Sequence, residues 1–285
     1  MMKINTIKNL TKALGVLALG IGISSQAVAG PFILDLTDAD DHGGFNGTDN
    51  VDGWLYMQRV LENLAPGVTN SNTTVVQLGG TNAAYASSFN ESSLAGGGGW
   101  SFVTIDGVAD LTSFFDGSAA FNIGNAGILQ IGSGFHVGGG ITSAEIAVLN
   151  TFATGIDNFL GGGGGLHSQA EGGAGQYGWL STLLPGLTFN GSSGSGLTLT
   201  GAGTAAFPGL TNADLSAGPY HGRWISGLGG LTTLFTNSTD VAVGIGSAGG
   251  SITNPNPNPV PEPATLVLLG LGLAGLGMRQ RKLSK

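Results

Sequence analysis

The sequence predicts a single α/β domain built on a doubly wound, mostly parallel sheet, and three observations lead to that fold class. Short apolar runs rich in Val, Ile and Leu recur along the chain, as buried strands of a parallel sheet require. Segments with apolar residues at helical spacing lie between them. The stretch between the two apolar ends is about 225 residues, enough for one sizeable core.

The elements follow in order. Residues 32–36 (Phe-Ile-Leu-Asp-Leu) read as a buried strand that runs into a polar loop holding Asp38, Asp40, Asp41 and His42. Over 53–64, Trp54, Met57, Leu61 and Leu64 recur at helical spacing, and Pro66-Gly67 stop the helix. A second strand is expected at 74–78, an extra one at 100–105, a short helix at 109–115 and a third clear strand at 127–131. Thr142 and Glu145 form a capping box. The helix it opens is expected to run on through Ile146, Leu149, Phe152, Ala153, Ile156 and Leu160. Gly161 to Gly165 then allow a tight return into a fourth strand near 164–167. A helix at 177–184 and strands at 197–200 and 241–245 complete the set. Strands alternating with helices imply βαβ units, here a flavodoxin-like arrangement over residues 30–253.

The two ends carry a different kind of information. Lys3, Lys8 and Lys12 precede an eleven-residue apolar run at 13–23, and Ala27-Val28-Ala29 supply a small-x-small cleavage pattern. Residues 1–29 therefore read as a signal peptide, handled by Sec export machinery and signal peptidase. At the other end, the Asn-Pro alternation of 254–259 is a stiff linker. Val260-Pro261-Glu262-Pro263, an apolar run at 264–278, and then Arg279, Arg281 and Lys282 follow it. Fifteen helical residues span only about 22 Å, so the run is a marginal transmembrane segment with its basic end held inside. The arrangement of 260–285 resembles the PEP-CTERM sorting tail. That resemblance implies an exosortase as partner, a transient inner-membrane intermediate, and a cell-surface or extracellular destination.

Composition excludes several function classes. Residues 31–253 hold sixteen acidic and two basic residues, a formal charge of −14, so nucleic acid is not an expected partner. The chain has no Cys, which rules out disulfides and thiolate chemistry.

In an open parallel sheet, ligands bind beyond the carboxyl ends of the strands. On this reading His42, His136 and His167 lie at such ends, with Glu171 just after the last. His221 and Arg223 sit in Tyr220-His221-Gly222-Arg223-Trp224, where a cation and an imidazole beside aromatics suit a sugar or a carboxylate. His167, Ser168 and His221 are the candidates for catalysis. Asp38, Asp40 and Asp41 are candidate ligands for Ca²⁺, although the twelve-residue loop of an EF-hand is absent; no other cofactor is expected.

Gly163-Gly164-Gly165-Leu166-His167-Ser168-Gln169-Ala170, followed by Tyr177-Gly178-Trp179-Leu180, resembles the Gly-x-His-Ser segment of ThuA-like proteins, which share the class I glutamine-amidotransferase-like fold. The resemblance covers roughly residues 127–190. It implies that His167 and Ser168 face a carbohydrate-like ligand at the position where amidotransferases carry their nucleophilic Cys. Three functions stay open from the sequence. One is a non-catalytic exported protein binding exopolysaccharide or another matrix component. The others are a secreted enzyme acting on a sugar derivative and a Ca²⁺-loaded structural surface protein.

Overall fold

The computed structural model describes residues 30–134, 139–171 and 176–246. An eight-stranded sheet divides the domain into layers. Its elements begin with β1 (Phe32–Asp35), the small hairpin β2 (Gly43–Phe45) and β3 (Asn50–Asp52), and helix α1 (Gly53–Leu64). Then come β4 (Thr74–Leu78), α2 (Ala83–Asn90), α3 (Ser93–Gly96), β5 (Ser101–Ile105), α4 (Val108–Asp116) and β6 (Ile128–Ile131). Helices α5 (Ser143–Thr151) and α6 (Ala153–Gly161) lead to β7 (Gly165–Ser168) and α7 (Leu180–Leu183). The last part holds β8 (Thr188–Gly194), β9 (Leu197–Leu199), α8 (Gly201–Ala206), α9 (Asn212–Leu215), β10 (Tyr220–Ser226), β11 (Thr232–Asn237) and β12 (Ala242–Gly246).

The sheet order is β5-β4-β6-β7-β1-β12-β11-β9. Neighbours from β5 to β1 pair in parallel. The runs of β1, β4, β6 and β7 are almost wholly buried, as a sheet covered on both faces demands, whereas β5 at the edge is only partly covered. On one face, α1 lies over β1 and β7 and packs against α2. On the other, Phe32, Leu34 and Leu166 meet Leu160 of α6 and Leu183 of α7 around a small apolar cavity. The mixed α/β class and the large, mostly parallel sheet are thus present.

Three details differ from the sequence-based expectation. By chain rank the parallel strands lie in the order 3-2-4-5-1, not the 2-1-3-4-5 of flavodoxin-like folds, because β1 sits beyond β7 rather than in the centre. The strands at 241–245 and 197–200 do form, yet β12, β11 and β9 are antiparallel. Only four residues join β11 to β12, far short of a parallel crossover, and Asp240 takes φ 59° within that turn. The expected helix over 143–160 is broken at Phe152 (φ −102°, ψ 20°). Thr151 Oγ1 donates back to Ala147 O at 2.9 Å, a bond that bends helices, and the Phe152 ring is held in a stack on Phe115. The capping box itself is formed, with Thr142 and Glu145 bonded reciprocally.

A separate two-stranded ribbon, β8 with β10, has no counterpart in the sequence reading. β8 reads Thr-Phe-Asn-Gly-Ser-Ser-Gly, too polar and too rich in Gly to show alternation. The ribbon is fastened by Trp224, whose ring packs on Tyr177 and Phe189 and whose Nε1 donates to Val243 O at 2.9 Å. The His221 amide also donates to Leu36 O at 2.7 Å, beyond the end of β1. Trp224→Ala should therefore cost about 3–5 kcal/mol of stability, measured by urea denaturation, because a fully buried indole and its bond are lost together.

Candidate functional site

A row of polar side chains crosses the inner face of the parallel sheet. The register aligns Thr104, Gln77, Gln130 and His167 on successive strands, with Asp35 one pleat further along β1 than the partner of His167. Thr104 Oγ1 donates to Gln77 Oε1 at 3.3 Å, and Gln77 Nε2 donates to Gly80 O at 2.9 Å. Gln130 Nε2 lies 3.5 Å from His167 Nδ1, and His167 Nε2 lies 3.2 Å from Asp35 Oδ2. A neutral ring carrying its hydrogen on Nε2 serves both contacts.

Asp35 is completely buried and saturated. Tyr56 of α1 donates to Oδ2 at 2.8 Å, while the Thr37 amide and hydroxyl donate to Oδ1 at 3.0 and 2.6 Å. Its backbone carbonyl accepts from Tyr177 OH at 2.8 Å. Burial, and then the neighbouring Asp35 charge, hold the Tyr56 phenol well above its ordinary range, so it remains a donor.

The next layer up lies in the turn after β1. Asp40 is buried, with Tyr85 OH donating to Oδ2 at 2.7 Å and Ser133 Oγ to Oδ1 at 2.9 Å. Trp54 Nε1 and Asn82 Nδ2 donate to its backbone carbonyl. These bonds fix the loop between β1 and the β2–β3 hairpin. Gly53, at the start of α1, is pressed so closely to this loop that a Cβ would lie 2.2 Å from Ala39 O.

The outermost layer centres on Asp38, which is 4 % exposed. His42 Nε2 lies 3.1 Å from its Oδ2, and His221 Nε2 lies 3.0 Å from the same oxygen. Glu171, just beyond β7, stands beside His221 and Asp38. Gly218 lets the chain cross over the His42 ring, since a Cβ there would meet it at 2.6 Å. The Asp38 carboxylate raises the His221 pKa, burial opposes that, and the charges of Asp38 and Glu171 add to the rise. Stabilisation from this contact is therefore complete below the unfolded pKa of His and fades as pH rises through the folded value.

The structure sorts the sequence candidates into two groups. His42, Glu171 and His221 come together around Asp38, at the carboxyl edge of β1 and β7. Arg223 lies one pleat along β10 from His221, and the burial pattern of the strand puts both on its open side. His167 does not reach that edge. It is 0 % exposed and belongs to the core beneath, joined to Asp35. Ser168 is likewise buried, alternation along β7 turns it to the opposite face from His167, and its hydroxyl has no partner among the described residues. Asp40 is separated from Asp38 and Asp41 as a metal ligand, because Tyr85 and Ser133 occupy its oxygens. His136, the expected signal peptide at 1–29, and the tail from Val260 through Pro261, Glu262 and Pro263 to Arg279, Arg281 and Lys282 lie outside the described residues. Among the described residues no helix is long and apolar enough to cross a membrane.

Sequence reasoning missed Asp35, Tyr56, Gln130 and Tyr177 as one network. A signal was present, since Asp35, Gln77, Gln130 and His167 each interrupt an otherwise apolar strand. Their alignment depended on the register. Among the described residues, both polar atoms of the buried Gln169 amide, and Asp38 Oδ1, have no hydrogen-bond partner. Tyr56→Phe should cost about 1.5–3 kcal/mol, the value of a bond to a charged group, and Asp35→Ala about 3–5 kcal/mol, because His167, Tyr56 and Thr37 would all lose a buried partner. Urea denaturation with an unchanged slope checks both.

In comparison with known families, the PEP-CTERM protein-sorting motif matches residues 259–282. No curated protein and no solved structure matches the chain. The match covers the tail alone and so speaks to sorting and not to the chemistry of the folded domain. It marks an exported chain handled by an exosortase and destined for the cell surface or the outside.

Proposed function

We propose that this is a non-catalytic surface or matrix protein whose folded domain binds a glycan, or another polyhydroxylated matrix component, at the carboxyl edge of β1 and β7. One observation carries the reading. The groups at that edge are hydrogen-bonding ones (Asp38, His42, Glu171, His221, Arg223), whereas the thiol and hydroxyl nucleophiles considered from the sequence are missing or buried. Cys is missing from the chain, and Ser168 and His167 are buried. Carboxylates and imidazoles suit sugar hydroxyls, and half-buried Trp54, packed against Gly43 in the neighbouring hairpin, adds an aromatic surface.

The likeness of the Gly163–Ala170 segment to ThuA-like proteins supports a sugar-related ligand. It does so through the position of β7 rather than through His167 as a contact. On this reading the signal peptide is removed after Ala29, and the domain extends to residue 253. The 264–278 span holds the chain in the inner membrane until an exosortase acts at the Pro-Glu-Pro segment.

Two experiments test the proposal. Replacing Pro261 and Glu262 by Ala should leave the unprocessed chain in the inner-membrane fraction, read as the intact mass by mass spectrometry. Normal release would remove the sorting half of the reading. The exported chain should co-sediment with exopolysaccharide from its own cells, and Arg223→Ala should weaken this about tenfold while leaving the fold intact. Equal binding by both forms, or none by either, would remove the glycan half.

A further inference from the structure

The Asp38 cluster has an electrostatic problem that the atoms of the described residues do not solve. Asp38 is 4 % exposed, yet its Oδ1 has no hydrogen-bond partner among the described residues, and an unpaired buried carboxylate oxygen is costly. Its other oxygen faces two imidazole nitrogens at 3.1 and 3.0 Å. The His221 nitrogen, though close, is not aligned as a hydrogen-bond donor to it. Glu171 adds a second carboxylate. One donor atom each from Asp38, Glu171 and His221 lies within 4.8 Å of the other two. A divalent ion with bonds of about 2.1 Å holds its ligands between about 3 and 4.2 Å apart, so small side-chain rotations bring all three into reach.

We infer that Asp38, Glu171 and His221 form a binding site for a divalent transition-metal ion of the zinc or manganese type. The donor set decides the class of ion. Ca²⁺ takes six to eight oxygen ligands, whereas an imidazole nitrogen with carboxylates suits first-row transition ions. The three ligands come from three separate parts of the chain: the turn after β1, the end of β7 and the start of β10. His42, on the Asp38 oxygen, is the outer partner that orients this carboxylate, as second-shell groups do. The set Asp38, Asp41 and His42 also brings three donors together, but Asp41 is exposed, so the more buried set is the one assigned. The ion would also tie the β8–β10 ribbon to the main sheet.

The assignment stands apart from the glycan reading. A chain that binds zinc but no polysaccharide keeps this inference and loses the other. The test uses the exported, processed chain, stripped with a chelator and titrated separately with Zn²⁺, Mn²⁺ and Ca²⁺ by calorimetry. The expected result is one equivalent of Zn²⁺ or Mn²⁺ bound more tightly than Ca²⁺. His221→Gln and Glu171→Gln should each weaken it by more than the roughly 10–100-fold typical of outer-shell changes. His42→Gln should stay within that range. Histidine ligation is also read on the unaltered chain, from nitrogen modulation in the spin-echo spectrum of bound Cu²⁺. The inference is overturned if no ion binds, if Ca²⁺ binds most tightly, if His221→Gln keeps the wild-type affinity, or if the nitrogen signal is missing.

Discussion

The buried Asp35 carboxyl group is the contact on which the rest of this domain depends. It stands at the end of β1, between the parallel strands and helix α1, and its oxygens collect the Tyr56 hydroxyl, both Thr37 donors and the His167 ring. A buried carboxyl without such partners would cost several kcal/mol, so the surrounding elements have little freedom to sit elsewhere. Tyr177 adds a further tie by donating to both Asp35 O and Ser168 O, joining the ends of β1 and β7. The turn that follows Asp35 therefore leaves the sheet in a fixed direction.

From that fixed point the site is built in three layers. Asp35 anchors the strand, Asp40 anchors the loop through Tyr85 and Ser133, and Asp38, between them in sequence, is left pointing to the rim. Three acidic residues within six positions thus have three different roles. What separates them is the set of donors that the fold brings to each. The rim is completed by Glu171 from just beyond β7 and by His221 from the ribbon, so apart from the local His42–Asp38 contact its chemistry depends on tertiary contacts.

The sorting tail and the folded domain answer separate questions. The tail gives the chain its route, and its match is independent of any packing. The proposed ligand chemistry lies in the domain, whose acidic balance suits a module that works outside the cell, where self-repulsion keeps it soluble. The missing Cys fits both, since neither the fold nor the proposed site draws on a thiol.

The sequence by itself determined what depends on local order: the positions of β1, β4, β5, β6 and β7, the Thr142 capping box, the helix over 53–64, and the two apolar ends. Each of these is written in neighbouring residues, through apolar runs, helical spacing or a cap. Tertiary structure alone decided which way β9, β11 and β12 run and where the glycine-rich β8–β10 ribbon packs. It also decided that β1 lies beside β7 at the border between the parallel and antiparallel halves. It drew His167 into the core and set His221 on Asp38, because strand order and register bring together residues more than a hundred positions apart. No spacing along the chain encodes such a meeting. It follows from the strand order and register that gather the partners of the buried Asp35 from distant parts of the chain.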